Sequence, residues 1–556
     1  MRHVHRAKSR VARPAPDRAY WRYPIGRNHV GGPRDVTRSG DDVARSDDAD
    51  QAKFARRSAF VDGTSVAKDY GVLVINNARG TVAMNCSKLG LYGGIAMASL
   101  LALAPLGCEN PSTGSGVAPD GGGVFQPDGG GANVVDPPVA SECVPPTKGP
   151  TMHQGGSSSD PDNDVWTADG SPHILPYDTT IYKTVTIEPC AEVLLAATRA
   201  ITVRGKLIAE GTATKRIHIG AKDAAQPWSN IRTSNGTVRL AYTTVDGGGD
   251  PLNTNVDIAG MLMMTGTDGT MPTQETLFVD HVTLSGSKSN GAVLSAGAGF
   301  AQGSQNLVIQ GSTSNPINIA ARAAGTLPAG SYTGNGVDAI VLPGGVFVES
   351  ATLKNLGVPY NIGTPSGAAG DLRVEGPTGG PVSTLTIEPG VKLRFKKAGA
   401  FYVSFAPGNT PATAALIAVG GPAEKQIVFT SWETSPAAGD WLGISFGLIP
   451  LATNKLDNVR VEYAGGLSGT ENASCRMSGE DAANNAGIRI FGPPPSQFIT
   501  NTTIANSASY GIERAWRADN VTDFLPTNTF DQVAKCNETF PKDMNGACPT
   551  SWPCAK

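Results

Sequence analysis

Residues that could do chemistry are few beyond position 108. Four histidines follow it: His153, His173, His218 and His281. His218 alternates with Ile217 and Ile219, which predicts an outward-facing place on a strand. His281 stands beside Asp280 and reads as a solvated turn pair. General acid–base work would call for two carboxylates held together, and no strand text supplies such a pair. Glu188 and Glu388 each precede a proline, so both read as corner residues. Asp160, Asp162 and Asp164 in DPDND are calcium-ligand types, but the loop lacks the glycine and distal glutamate of an EF-hand and reads as linker. No P-loop, GxSxG, HExxH or dinucleotide fingerprint occurs. No catalytic residue, metal ligand or cofactor is therefore assigned.

Aromatic rings offer a second kind of chemistry, because their faces stack on sugar rings. Trp228 and Trp441 occupy matching places in two related stretches, with Trp432 and Tyr463 close to the latter. They are the candidate ligand-stacking residues; packing over a rung end explains the same placement. Thiols are the third. Cys143, Cys190, Cys475, Cys536, Cys548 and Cys554 are an even set, which predicts disulfides if the chain is exported. Six cysteines leave the pairing open among fifteen connectivities. Cys143 is nearest in sequence to Cys190 and would staple the preceding linker to the first rung. Cys536, Cys548 and Cys554, with Cys475 completing the pairs, would tie a compact tail. Zinc is the rival, but no pair at ligand spacing exists.

The elements that must carry these residues are short. From about residue 165 the text consists of Val, Ile, Leu and Thr runs broken by Gly, Asn and Asp, with no long 3.6-residue period, which predicts an all-β body. A long repeat runs through it. Thr184–Pro189 (TVTIEP) returns as Thr384–Pro389 (TLTIEP), Lys206–Ala209 as Ala415–Ala418, Arg216–Ile219 as Gln426–Phe429, and Trp228–Ile231 as Trp441–Ile444. Thr283–Gly291 returns as Thr503–Gly511. Kept order with drifting offset indicates a duplication with loop insertions. Inside it, Leu284–Ser287 followed by Asn290 returns 25 residues later as Ile309–Ser312 followed by Asn315. A period of this length fits one coil of a solenoid.

The order T-[LV]-T-I-E-P, L-I-A, [IV]-x-[FI], W-x-x-I resembles the right-handed parallel β-helix (pectin-lyase-like) repeats of bacterial surface lipoproteins. The resemblance covers about residues 172–516 and implies a right-handed parallel β-helix built from two duplicated segments, with on the order of 10–14 rungs spaced about 4.8 Å apart. Two Ig-like sandwiches are the alternative architecture. β-Helices also host polysaccharide lyases and hydrolases, which resemble one another in clustered aspartates with a nearby His or basic residue; that constellation is missing from this text.

Residues 84–108 place Lys88 before the uncharged stretch Leu89–Leu106 and end at Gly107–Cys108. The stretch resembles a bacterial lipoprotein signal, which implies lipid attachment at Cys108. A membrane anchor of about 18 residues is the alternative. The expected organisation is then 1–83 a disordered extension ahead of the true start, 84–108 signal, 109–165 flexible Gly/Pro/Asp linker, 166–345 first β-helix segment, 346–516 second, and 517–556 a cysteine-containing cap. The linker would reach some 35 Å. Residues 1–83 carry 16 Lys and Arg against 9 Asp, leaving 29 basic against 39 acidic residues afterwards. An acidic body argues against nucleic acid as the partner. The expectation is a cell-envelope lipoprotein, held at an outer membrane or cell surface by its lipid. Its non-catalytic body would bind polysaccharide or a surface protein. The alternatives are a polysaccharide lyase or hydrolase, and a structural spacer or adhesin.

Overall fold

The computed structural model describes residues 72–77, 80–85, 140–154, 163–249, 255–267, 273–405, 408, 410–480, 482–519, 521–552 and 554. Cys108, the rest of the signal stretch beyond Asn85, Asp160 and Asp162 lie outside them. The chain divides into two units, Met1–Gly121 and Gly122–Lys556. In the first, Val72–Asn77 pairs antiparallel with Gly80–Asn85.

The second unit is a parallel β-helix. One sheet of thirteen strands runs unbroken through both halves, from Thr179–Ile181 to Thr529–Asp531. Its remaining walls in the first half belong to a second thirteen-stranded sheet, in which Gln274–Ser285 bridges two faces by pairing with both Thr237–Ala241 and Thr243–Asp246. In the second half those walls are a six-stranded sheet beginning at Gly345–Phe347 and a five-stranded one beginning at Ala351–Leu353. Every strand pairing in this unit is parallel among the described residues. Thirteen strands at about 4.8 Å give a stack about 58 Å long.

Alternation drives this coil. Val185, Ile187, Leu207 and Ala209 are buried, whereas Thr184, Thr186 and Ile208 between them are half-exposed. A one-residue slip would turn each apolar row into solvent, so the register is strongly specified. The duplication is visible in that register. Thr184 pairs with Lys206 and Ile187 with Ala209, while Thr384 pairs with Ala415 and Ile387 with Ala418. The 25-residue period is one rung, since Leu284 pairs with Ile309 and Ser285 with Gln310.

The corners match as well. The Glu188 carboxylate accepts from the Ala168 N–H at 3.0 Å, and Glu388 accepts from Asn355 N–H at 2.8 Å, each tying its corner to the preceding rung. Two residues on, the backbone turns left-handed at Cys190 (φ 73°) and Gly390 (φ 85°). Glycine carries that φ without strain. At Cys190 the residue is joined to Cys143.

The body starts earlier than residue 166. Thr151–Met152 and Asp164–Trp166 already pair into the sheet, and Thr147 and Lys148 hold Asp169. At the other end Thr529–Asp531 adds a strand beyond 516. Cys475–Cys548 and Cys536–Cys554 fasten the tail onto the last rungs. The apolar stack shows through an end wherever its last rung is uncovered, so covered ends are what a solenoid requires.

Candidate functional site

The two candidate stacking tryptophans are not surface platforms. Trp228 and Trp441 are each 0% exposed. The Trp228 indole N–H donates to the Asp246 carbonyl at 2.7 Å, and the Trp441 indole donates to the Glu462 carbonyl at 2.8 Å. Trp441 also stacks on Phe395 at 4.4 Å. Both rings close the helix interior and cannot stack on a bound sugar. Trp432 is half-buried beneath the Lys396 ammonium, 4.5 Å from its ring centre, and Tyr463 turns a corner at φ 60°.

Among the described residues, each histidine is engaged. His281 sits at a left-handed corner inside the long strand Gln274–Ser285, not in a solvated turn. Its ring stacks on Tyr242 at 4.5 Å and contacts the Asp280 carboxylate at 2.7 Å. His153 and His173 face each other at 2.9 Å beside Trp166. The remaining nitrogen of His173 donates to the Thr167 carbonyl, so its Nδ1 accepts from His153. Burial, and the His173 ring beside it, hold His153 below the usual imidazole range.

His218 does face outward, and it bridges three rungs. Its Nδ1 lies 3.1 Å from Glu192 on the rung before, and its Nε2 2.8 Å from Asp246 on the rung after. The Asp246 hydrogen bond raises its pKa most, against the effect of burial, with Glu192 adding to it. Gly220 leaves the room needed: a Cβ there would lie 2.7 Å from Nε2 and 2.8 Å from the Asp246 carboxylate. Both carboxylates are bonded to the imidazole.

A second polar column lies near the C-terminal end. Tyr402, Ser445, Arg489 and Glu513 stand in register across adjacent strands. Arg489 is 2% exposed and Glu513 0% exposed. Burial pushes the Glu513 carboxyl up to about 8, against the pull of Arg489. Its folded pKa thus exceeds the unfolded value, so its stabilising effect is present below about 4.5 and is lost as pH rises through 8. Wild-type denaturation midpoints are expected to fall relative to Glu513→Gln over that range, and parallel pH profiles would contradict this.

An open groove remains as the candidate binding surface. It measures about 480 Å³ and is lined by Thr273, Arg322, Thr326, Glu349, Thr352, Lys354, Thr384 and Thr386, among others. It lies where the β ladder changes. The 3₁₀ segment Ala321–Thr326 packs against Ala351–Leu353, at the start of the five-stranded sheet. Thr352 and Thr386 are in-register neighbours whose hydroxyls can form a row along the groove. The Lys354 ammonium is anchored at 2.7 Å on the Leu327 carbonyl, which closes one side. Sequence reasoning missed this surface, because its residues come from four separate segments of the chain and only Thr384 and Thr386 belong to a repeated motif.

Among the described residues, no three His, Cys, Asp or Glu side chains gather as metal ligands, and no helix is long and apolar enough to cross a membrane. No family model, curated protein or solved structure matches the chain.

Proposed function

We propose that this chain is an exported β-helical protein, lipid-anchored through Cys108, whose body binds a polysaccharide without processing it. The observation that carries the reading is the groove at the junction of the two halves. It is open, rich in hydroxyls, and bordered by Arg322, Lys354 and Glu349. Such a surface exchanges hydrogen bonds with a hydroxyl-bearing polymer along its length. Three disulfides fit an oxidising compartment, in agreement with the signal-like stretch ending at Cys108. Against a lyase or hydrolase stands the state of the carboxylate pair described above, on the two rungs that flank His218: Glu192 and Asp246 are both bonded to its imidazole. With the tryptophans buried, recognition falls to hydroxyl and charged groups.

The test incubates the protein with a panel of bacterial and plant polysaccharides and follows both by size exclusion. Intact glycan co-eluting with protein is the expected result. Thr352→Val with Thr386→Val removes two hydroxyls at nearly constant volume and is expected to weaken binding about tenfold, since each lost hydrogen bond is worth about 0.5–1.5 kcal/mol. Shortened glycan would establish processing and overturn the non-catalytic reading. No association with any glycan would favour a structural role or a protein partner.

A further inference from the structure

The two halves of the β-helix repeat one scaffold, so each position has an internal counterpart. His218 pairs in register with Glu192 and Thr244, and Ile219 with Val193 and Val245. In the second half Val428 pairs with Lys392 and Arg460, and Phe429 with Leu393 and Val461. The positions of Glu192, His218, Gly220 and Asp246 are thus held by Lys392, Val428, Thr430 and Glu462. The buried tryptophan bonds the backbone carbonyl of the last of these in both halves. The second half links its rungs there through the Thr430 hydroxyl, which donates to Glu462 at 3.0 Å. Folding of this corner therefore does not need an imidazole.

We infer that Glu192, His218 and Asp246 form a proton-operated clamp across three rungs of the first half, closed in acid and loosened in base. A carboxylate only accepts hydrogen bonds, so an imidazole bonded to two of them satisfies both only when both its nitrogens carry protons. Loss of one proton leaves one carboxylate facing a lone pair at about 3 Å.

The charged groups acting on the ring are Asp246 from the rung above and Glu192 from the rung below. Thr244, also above, does not titrate. Just before its own strand Ile217–Ala221 stands Arg216, whose guanidinium donates to the His281 carbonyl, and just past it Lys222. The folded pKa lies above that of a free histidine, so the stabilisation is complete below about pH 6.5 and is lost as pH rises through the folded value. The clamp lies on the flank, with the ring and both carboxylates half-exposed, so bulk pH reaches it.

Amide hydrogen exchange on the full chain tests this, read by mass spectrometry and corrected for intrinsic rates. Between pH 5.5 and 8.5, protection in Glu192–Leu195, Ile217–Ala221 and Thr243–Asp246 is expected to fall about three- to tenfold. The counterpart strands Lys392–Phe395, Ile427–Ser431 and Val459–Glu462 are expected to change far less. His218→Val, which installs the residue of the second half, should abolish the difference. Glu192→Gln with Asp246→Asn keeps the ring and should abolish it too. An equal response in both halves, or a pH response that survives either variant, would overturn the clamp.

Discussion

Trp441→Ala is expected to lower stability by about 3–5 kcal/mol, the range for removing a fully buried tryptophan. The ring is 0% exposed, lies against Phe395 with planes 7° apart, and gives its indole N–H to the Glu462 carbonyl. Alanine would leave a cavity and an unsatisfied buried carbonyl. Trp441→Phe should recover part of the loss, because it restores ring volume but not the donor. Trp228→Ala should cost a similar amount, since its indole makes the equivalent bond to Asp246. The sites lie on distant rungs, so the double variant should show nearly the sum. Urea midpoints followed by far-ultraviolet circular dichroism measure all four variants. A loss below about 1 kcal/mol would mean the rings are not packed as described. Glycan retention by Trp441→Phe should match wild type, since the ring faces the interior.

Glu538→Ala is expected to cost a comparable 3–5 kcal/mol, because it strands a buried cation. Arg514 Nε lies 2.9 Å from Glu538, with side-chain exposures of 8% and 1%. The guanidinium also donates to the carbonyls of Thr539 and Thr522 and lies over Phe540. Glu538 in turn accepts from the Phe524 N–H at 3.3 Å. One pair thus holds the last rung, the tail and the segment between them. Arg514→Met with Glu538→Leu removes the buried cation together with its acceptor and should cost much less than Glu538→Ala alone. Equal losses in the single and double variants would show that packing, not the Arg514–Glu538 contact, holds this end. Limited proteolysis gives a second reading, since loosening the cap should expose cleavage sites after residue 515 before the rungs themselves are cut.

Much of the fold was legible beforehand. Period-two runs such as Thr184–Ile187 can bury only one face, and their ordered return after about 200 residues pointed to stacked coils. The rung of 25 residues is confirmed in the pairing of Leu284 with Ile309. Corner roles for Glu188 and Glu388 were readable because both precede proline, and each carboxylate holds a backbone N–H. The start of the body was misjudged. Linker composition before residue 166 concealed two short strands, which pairing with later rungs recruits.

The candidate site was much less legible. Matching placement of Trp228 and Trp441 told of equivalence between the halves but not of direction, because a ring over a rung end and a ring facing solvent leave the same spacing. His218 was seen to point outward, yet Glu192 lies 26 residues before it and Asp246 28 after it. Period and alternation are local properties of a chain, so the amino-acid order alone determined the all-β class, the duplicated coil and the inward rows. Lateral neighbours on a solenoid are set by how many residues each loop inserts between rungs. Only the folded stack could therefore decide that an imidazole meets two carboxylates, that both tryptophans turn inside, and that threonines from separate rungs line one groove.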